Sequence, residues 1–134
     1  MKPVFADTVY YLALINSRDQ YAPAATRFTS VFSGVFVTTA WVLAEVANSL
    51  ARGSDRSLFC ELYQDLANDH RVTIVPAVQD LFEQGIDLFA KRPDKEWSLT
   101  DCISFIVMQE YGLTEALTAD RHFEQAGFKA VLRE

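Results

Sequence analysis

Apolar and polar positions along this chain change in blocks, and each block has its own period. Val4, Phe5 and Ala6 form an apolar run that stops at Asp7, and residues 8–15 continue without Gly or Pro. This predicts a strand over 3–6 and a short helix over 8–15. Asp19 and Pro23 punctuate a second helix, which places Ala24, Phe28, Val31 and Phe32 on one face and ends at Gly34. The run 35–39 is a second strand. From Thr39 no breaker occurs before Gly53, and Trp41, Ala44, Ala47 and Leu50 recur at helical spacing. A further helix over 54–68 carries Leu58, Leu62 and Leu66, with Cys60 buried or at its edge. Residues 72–76, rich in β-branched side chains and closed by Pro76, read as a third strand. Helix 78–90 follows despite Gly85, then the charged loop 91–97 and a helix over 99–112. Strand 115–120, short helix 121–127 and last strand 128–132 complete the pattern.

Strands and helices alternate, and no two strands are joined by a two-residue hairpin turn. That argues an α/β fold with a parallel sheet covered by helices on both faces. There is no internal repeat or flexible linker, and 134 residues, half of them apolar, suit a single domain over 1–134 with a sizeable core. Lys2 and Pro3 precede only three apolar residues, which is no signal peptide, so a cytoplasmic protein is expected. The uncharged run 28–44 contains Thr29, Ser30, Ser33, Gly34, Thr38 and Thr39, a poor membrane span. Cys60 and Cys102 make neither a disulfide framework nor a zinc site, and both read as core thiols suited to a reducing compartment. A net charge of −6 argues against a broad polybasic surface and leaves room only for local basic patches.

In open parallel sheets ligands collect beyond the carboxyl ends of the strands. Four acids fall near that edge. Asp7 ends the first strand, Asp120 ends the fourth, Glu45 lies about two turns into the helix fed by the second, and Asp101 opens the helix before the fourth. Each has an ordinary reading. Asp7 and Asp120 can cap the helices that follow, and Ser98-Leu99-Thr100-Asp101 can form a capping box with Trp97 and Cys102 as a weak staple. Glu45 can lie on a solvent stripe with Asn48, Ser49 and Arg52. Caps do not explain why four acids gather at one edge, where repulsion raises their pKa values unless cations intervene. An all-oxygen site suits Mg²⁺ or Mn²⁺ rather than zinc, and such a site supports phosphoryl transfer. The chain has no Gly-rich phosphate loop, and no second Asp stands two residues after Asp7 as aspartyl-phosphate chemistry needs. Metal-dependent hydrolysis without a covalent enzyme intermediate remains.

The segments VFADTVYYLAL, TTAWVLAEVANSL and WSLTDCISFIVMQEYGLTEALTADRHFEQAGF resemble those of PIN-domain ribonucleases, and within them the VapC-like toxins of bacterial toxin–antitoxin pairs. The resemblance spans essentially the whole chain. It implies a PIN-like three-layer α/β/α fold around a parallel sheet of four or five strands. It assigns Asp7, Glu45, Asp101 and Asp120 as metal-binding catalytic acids for Mg²⁺ or Mn²⁺, with Thr8, Ser98 and Thr118 in supporting places. It also implies hydrolysis of RNA phosphodiester bonds to a 5′-phosphate and a 3′-hydroxyl, a homodimer, and an antitoxin that blocks the site. A solitary RNA-processing nuclease and a non-catalytic RNA- or protein-binding domain are the alternatives.

Attraction for RNA must then come from local cations: Arg18, Arg52, Arg56, Lys91, Arg92, Lys95 and Arg121. Arg52 is favoured because it extends the Glu45 stripe, whereas Lys91, Arg92 and Lys95 read first as a solvated loop. His122 is expected to be exposed or capping. Tyr10, Tyr11, Phe28, Phe32, Phe59 and Tyr63 are mostly core, with a share of them available for a dimer surface or an antitoxin groove.

Overall fold

Val4–Ala6 (β1) and Phe36–Thr39 (β2) are buried at every position, the signature of interior strands covered on both faces. The computed structural model, which describes residues 1–133, sets them side by side in a five-stranded, wholly parallel sheet. The other strands are Val72–Val75 (β3), Glu115–Leu117 (β4) and Lys129–Ala130 (β5), and the order is β3-β2-β1-β4-β5. Register pairs Phe5 with Val37 on one side and with Ala116 on the other.

The helices are Thr8–Ile15 (α1), Ala22–Val31 (α2), Ala40–Ser49 (α3), Asp55–Asn68 (α4), Gln79–Lys91 (α5), Leu99–Glu110 (α6) and Arg121–Gln125 (α7). From β1 the chain moves outward through β2 to β3, then returns to lay β4 on the other side of β1. Right-handed crossovers therefore put α1–α4 on one face and α5–α7 on the other. Within each face α1 meets α2 and α3, α3 meets α4, α5 lies along α6, and α6 meets α7, while α3 also reaches α6, and its Trp41 reaches Phe82 of α5, across the two layers. This is the α/β/α sandwich that the block pattern predicts. No helix among the described residues is long and apolar enough to cross a membrane.

Phe5, Tyr11, Ile103, Phe105, Met108 and Phe123 fill the core at 2% exposure or less. Each such burial contributes roughly 1.5–3 kcal/mol. Phe105 stands edge-on to both Trp97 and Phe123 with centroids 5.0 Å apart, joining α6 to α7. Gly85 has a packing reason: a Cβ there would sit 2.4 Å from Cγ1 of Ile103, so only glycine lets α5 lie this close to α6.

Several boundaries differ from those read off the sequence. Helix α3 stops at Ser49 rather than running to Arg52, because Leu50 leaves helical geometry to bury its side chain in the core. The last strand is two residues long and turns into a 3₁₀ segment, Val131–Arg133. Leu132 N–H bonds the Thr118 carbonyl at 3.1 Å and Leu132 packs inward, which ends the pairing. Val31 is 70% exposed rather than on a core face, and Cys60 is exposed, whereas Cys102 is buried.

Candidate metal centre

Strand β1 delivers Asp7 to its carboxyl end, next to the carboxyl end of β4. These two neighbours lie where the strand order reverses direction, the topological switch point at which open α/β sheets form crevices. Asp7 occupies the N-cap position of α1, but its side chain accepts no capping bond, so the cap reading fails there. Instead the Thr118 hydroxyl, just past β4, donates to Asp7 Oδ2 at 2.8 Å. Asp7 is 6% exposed, and its pKa is pushed up to about 7, chiefly by burial. Bonds from the Thr118 hydroxyl and the Thr8 backbone N–H pull it down, and the charges of Asp101 and Glu45 push it further up. Both of those acids therefore face Asp7 across the crevice.

Thr38 and Thr39 are fully buried at the end of β2. Thr38 Oγ1 donates to the Ala6 carbonyl at 2.9 Å, and Thr39 caps α3 by accepting from Val42 N–H at 3.1 Å. Fixing the start of α3 fixes where its next turns point, and Glu45 is turned toward α1, where Thr8 Oγ1 donates to its Oε1 at 2.7 Å. The solvent-stripe reading of Glu45 fails for that reason. Since α3 ends at Ser49, helical register no longer carries Arg52 along with Glu45, and its expected place at the mouth of the site loses its basis.

Asp101 serves two roles. It completes the capping box: Ser98 Oγ accepts from Asp101 N–H at 3.0 Å, and Asp101 Oδ2 accepts from Ser98 N–H at 3.2 Å. It also enters the acid group. Burial raises its pKa first, the charge of Asp120 adds to that, and the hydrogen bond from His122 opposes both. Asp120 caps α7, accepting from His122 N–H at 2.9 Å through Oδ1. One turn beyond Asp101, Ser104 Oγ is buried without a hydrogen-bond partner.

Three of the carboxylates share one arrangement. In each, the protein's donors engage a single oxygen, Oδ2 of Asp101, Oε1 of Glu45 and Oδ1 of Asp120, and the other oxygen takes no hydrogen bond among the described residues. Asp7 is held by the Thr118 hydroxyl and by the backbone N–H of Thr8. Carboxylates at one crevice, oriented from behind by hydroxyls and backbone N–H groups, are ligands of the kind a hard divalent cation takes, and Asp7 feels the charges of both Glu45 and Asp101. Atoms of Asp101, Asp120 and His122 lie within 4.8 Å of one another, close enough to share an ion.

The model of the PIN domain family matches residues 4–129. The 23S rRNA-specific endonuclease VapC20 of Mycobacterium tuberculosis, in two strains, is 32% identical over 132 residues, which cover 98% of this chain and 99% of that protein. The chain belongs to the PIN-domain family. Its fold superposes on the crystal structure of M. tuberculosis VapC20, described as a sarcin-ricin loop cleaving toxin, with a TM-score of 0.85 at 27% identity. That match covers 95% of this chain and 97% of the other.

Set against this PIN scaffold, the sequence reading missed one side chain. His122, expected to be exposed or capping, turns its ring inward to Asp101 at 3.0 Å. Only its place in the first turn after Asp120 could have pointed there. Other side chains follow the first reading made of them. Arg92, in the loop read as solvated, is exposed, pairs with Asp94 at 3.0 Å and lies over Trp97 at 5.0 Å. Tyr10 and Tyr11 are buried, Phe28, Phe32 and Phe59 are half-buried, and only Tyr63 of that aromatic set is exposed.

Proposed function

We propose that this PIN protein is a Mg²⁺- or Mn²⁺-dependent ribonuclease, the toxin partner of an antitoxin, with Asp7, Glu45, Asp101 and Asp120 as its metal-binding acids. One observation carries the reading: four acids from distant parts of the chain gather at the switch-point crevice, each held from behind by hydroxyl or backbone donors, with Asp7 buried against the charges of Glu45 and Asp101. A hard divalent ion held there supplies a Lewis acid that activates water and offsets charge on the phosphate.

The chain's own groups do the rest. Asp7, at 6% exposure, and Asp101, at 13% side-chain exposure, form the deeper part of the set, and Asp120, at 32%, faces the solvent from which RNA approaches. Thr118 and Thr8 hold Asp7 and Glu45 in their rotamers, while Ser98 and Thr39 fix the helix starts that aim Asp101 and Glu45. Burial of Asp7 makes its negative charge costly without a cation, so ion binding and deprotonation of Asp7 favour each other.

Ribosomal RNA is the first substrate to test, since VapC20 carries 23S rRNA in its name. Purified protein should cut a sarcin–ricin hairpin or whole ribosomes in Mg²⁺ or Mn²⁺, with mapped ends showing a 5′-phosphate, while Asp7→Asn and chelated wild type leave the RNA intact. Undiminished cleavage by Asp7→Asn would defeat the metal assignment. Intact RNA with measurable RNA affinity would favour a non-catalytic binding domain. Cleavage of other RNA without growth arrest on expression would favour a solitary processing nuclease.

A homodimer fits the one apolar stripe of α5. Val78, Ile86 and Phe89 are 48%, 40% and 52% exposed, and Phe82, on the same face, stacks on Trp41 of α3 at 6.4 Å. Sedimentation of Phe89→Glu should give a monomer where the native chain gives a dimer.

A further inference from the structure

The hydroxyls of Thr118 and Thr8 attend to Asp7 and Glu45, which leaves open how Asp101 and Asp120 are held beside each other. They come from different elements, α6 and the turn before α7, and like charges at this range repel. The imidazole of His122 lies between them. Its Nδ1 is 3.0 Å from Asp101 Oδ2 and 3.4 Å from Asp120 Oδ1, while its own backbone N–H bonds the same Asp120 oxygen at 2.9 Å. The ring is only 21% exposed.

Beside two ionised carboxylates a ring N–H at Nδ1 is favoured over a lone pair, which both oxygens would repel. An Nδ1–H group there donates to Asp101 and stands within ion-pair range of Asp120, and so cannot serve as a metal ligand from the same atom. The two oxygens it engages are the ones already held by backbone, and Asp101 Oδ1 and Asp120 Oδ2 remain available.

We propose that His122 is a positioning residue that clasps Asp101 to Asp120, through Nδ1–H on the first and its backbone N–H on the second, keeping their free oxygens at ion-bridging separation before any ion arrives. The proposal rests on the reading of these acids as metal ligands. Orienting partners of this kind typically set metal affinity over a ~10–100-fold range. The geometry also distinguishes substitutes: an asparagine side chain can place its amide nitrogen near the Nδ1 position, whereas glutamine carries its amide one bond further out.

The test uses the full chain and Mn²⁺ as the probe. Long-range ¹⁵N–¹H correlation on the metal-free native protein should place a proton on Nδ1 of His122; a ring protonated at Nε2 alone would overturn the clasp, whatever the variants do. Calorimetric titration should show His122→Ala and His122→Gln binding Mn²⁺ ~10–100-fold more weakly, with His122→Asn within about three-fold of native, and cleavage by His122→Ala recovering at saturating Mn²⁺. Native affinity in His122→Ala would overturn the proposal while leaving the metal site standing. Tighter binding would overturn it too, by making the imidazole a competitor of the ion. No Mn²⁺ binding by the native chain would remove both readings together.

Discussion

Thr118 and Asp7 lie 111 residues apart and share a hydrogen bond of 2.8 Å at 0% and 6% exposure. The same threonine oxygen accepts from Asp120 N–H at 3.1 Å, so one hydroxyl ties the first acid to the turn that carries the last. Thr118→Val keeps the shape and removes both bonds. Leaving buried polar groups unpaired costs about 1–3 kcal/mol, and losing an orienting partner should weaken Mn²⁺ binding ~10-fold or more. Thr118→Ser should restore both. Native Mn²⁺ affinity in the valine variant would show the bond to be incidental.

Asp7 also makes stability depend on pH in an unusual direction. Its pKa is about 7 in the folded protein against 3.8 for the free side chain, so the native state holds the proton more tightly than the unfolded chain does. In chelated protein, this group's contribution to stability is neutral at low pH, turns unfavourable as pH rises through 4–7, and is fully unfavourable above that. Asp7→Asn removes the penalty. Denaturant unfolding above pH 7 should find the variant more stable by roughly 2–4 kcal/mol, the gap closing toward pH 4. Excess Mg²⁺ should stabilise the native chain and leave the variant unmoved.

The two roles of Asp101 separate by substitution. Ser98→Ala removes the cap acceptor for Asp101 N–H, which should cost about 1 kcal/mol of stability while cleavage survives. Asp101→Asn keeps an acceptor for Ser98 N–H and loses the anion, so the melting temperature should barely move while cleavage is abolished. Strong activity in the asparagine variant would reduce Asp101 to a helix cap.

Gly85 tests the packing of α5 on α6 without touching the acids. Gly85→Ala gains about 1 kcal/mol of helix propensity, but its methyl would overlap Ile103. Overpacking typically costs about 1–3 kcal/mol, so net destabilisation is expected, with activity per folded molecule unchanged. Adding Ile103→Ala should make the glycine substitution less costly than it is alone, a coupling readable from a double-mutant cycle. A stabilised single variant would mean that α5 shifts freely.

What the sequence determined by itself is the kind and order of the elements and which acids are candidates for the site. Periodicity and capping are local properties, and Ser98 with Asp101 or Asp120 before α7 could be read from spacing alone. Fold alternation and the segment resemblances around Asp7, Glu45, Asp101 and Asp120 point to all four as candidates at one sheet edge. Tertiary structure decided the rest. Strand order, with β4 returning beside β1, puts Asp7 and Thr118 within bonding distance, and no local pattern encodes which strands become neighbours. The demand of Leu50 for the core ends α3 before Arg52, and the carbonyl of Thr118 ends β5 early. The inward turn of His122 and the freeing of Asp7 from its cap position follow from partners far away in the chain. Side-chain direction at a crevice is set by the charges and donors that long-range folding brings opposite it, and those contacts exist only once the sheet has closed around β1.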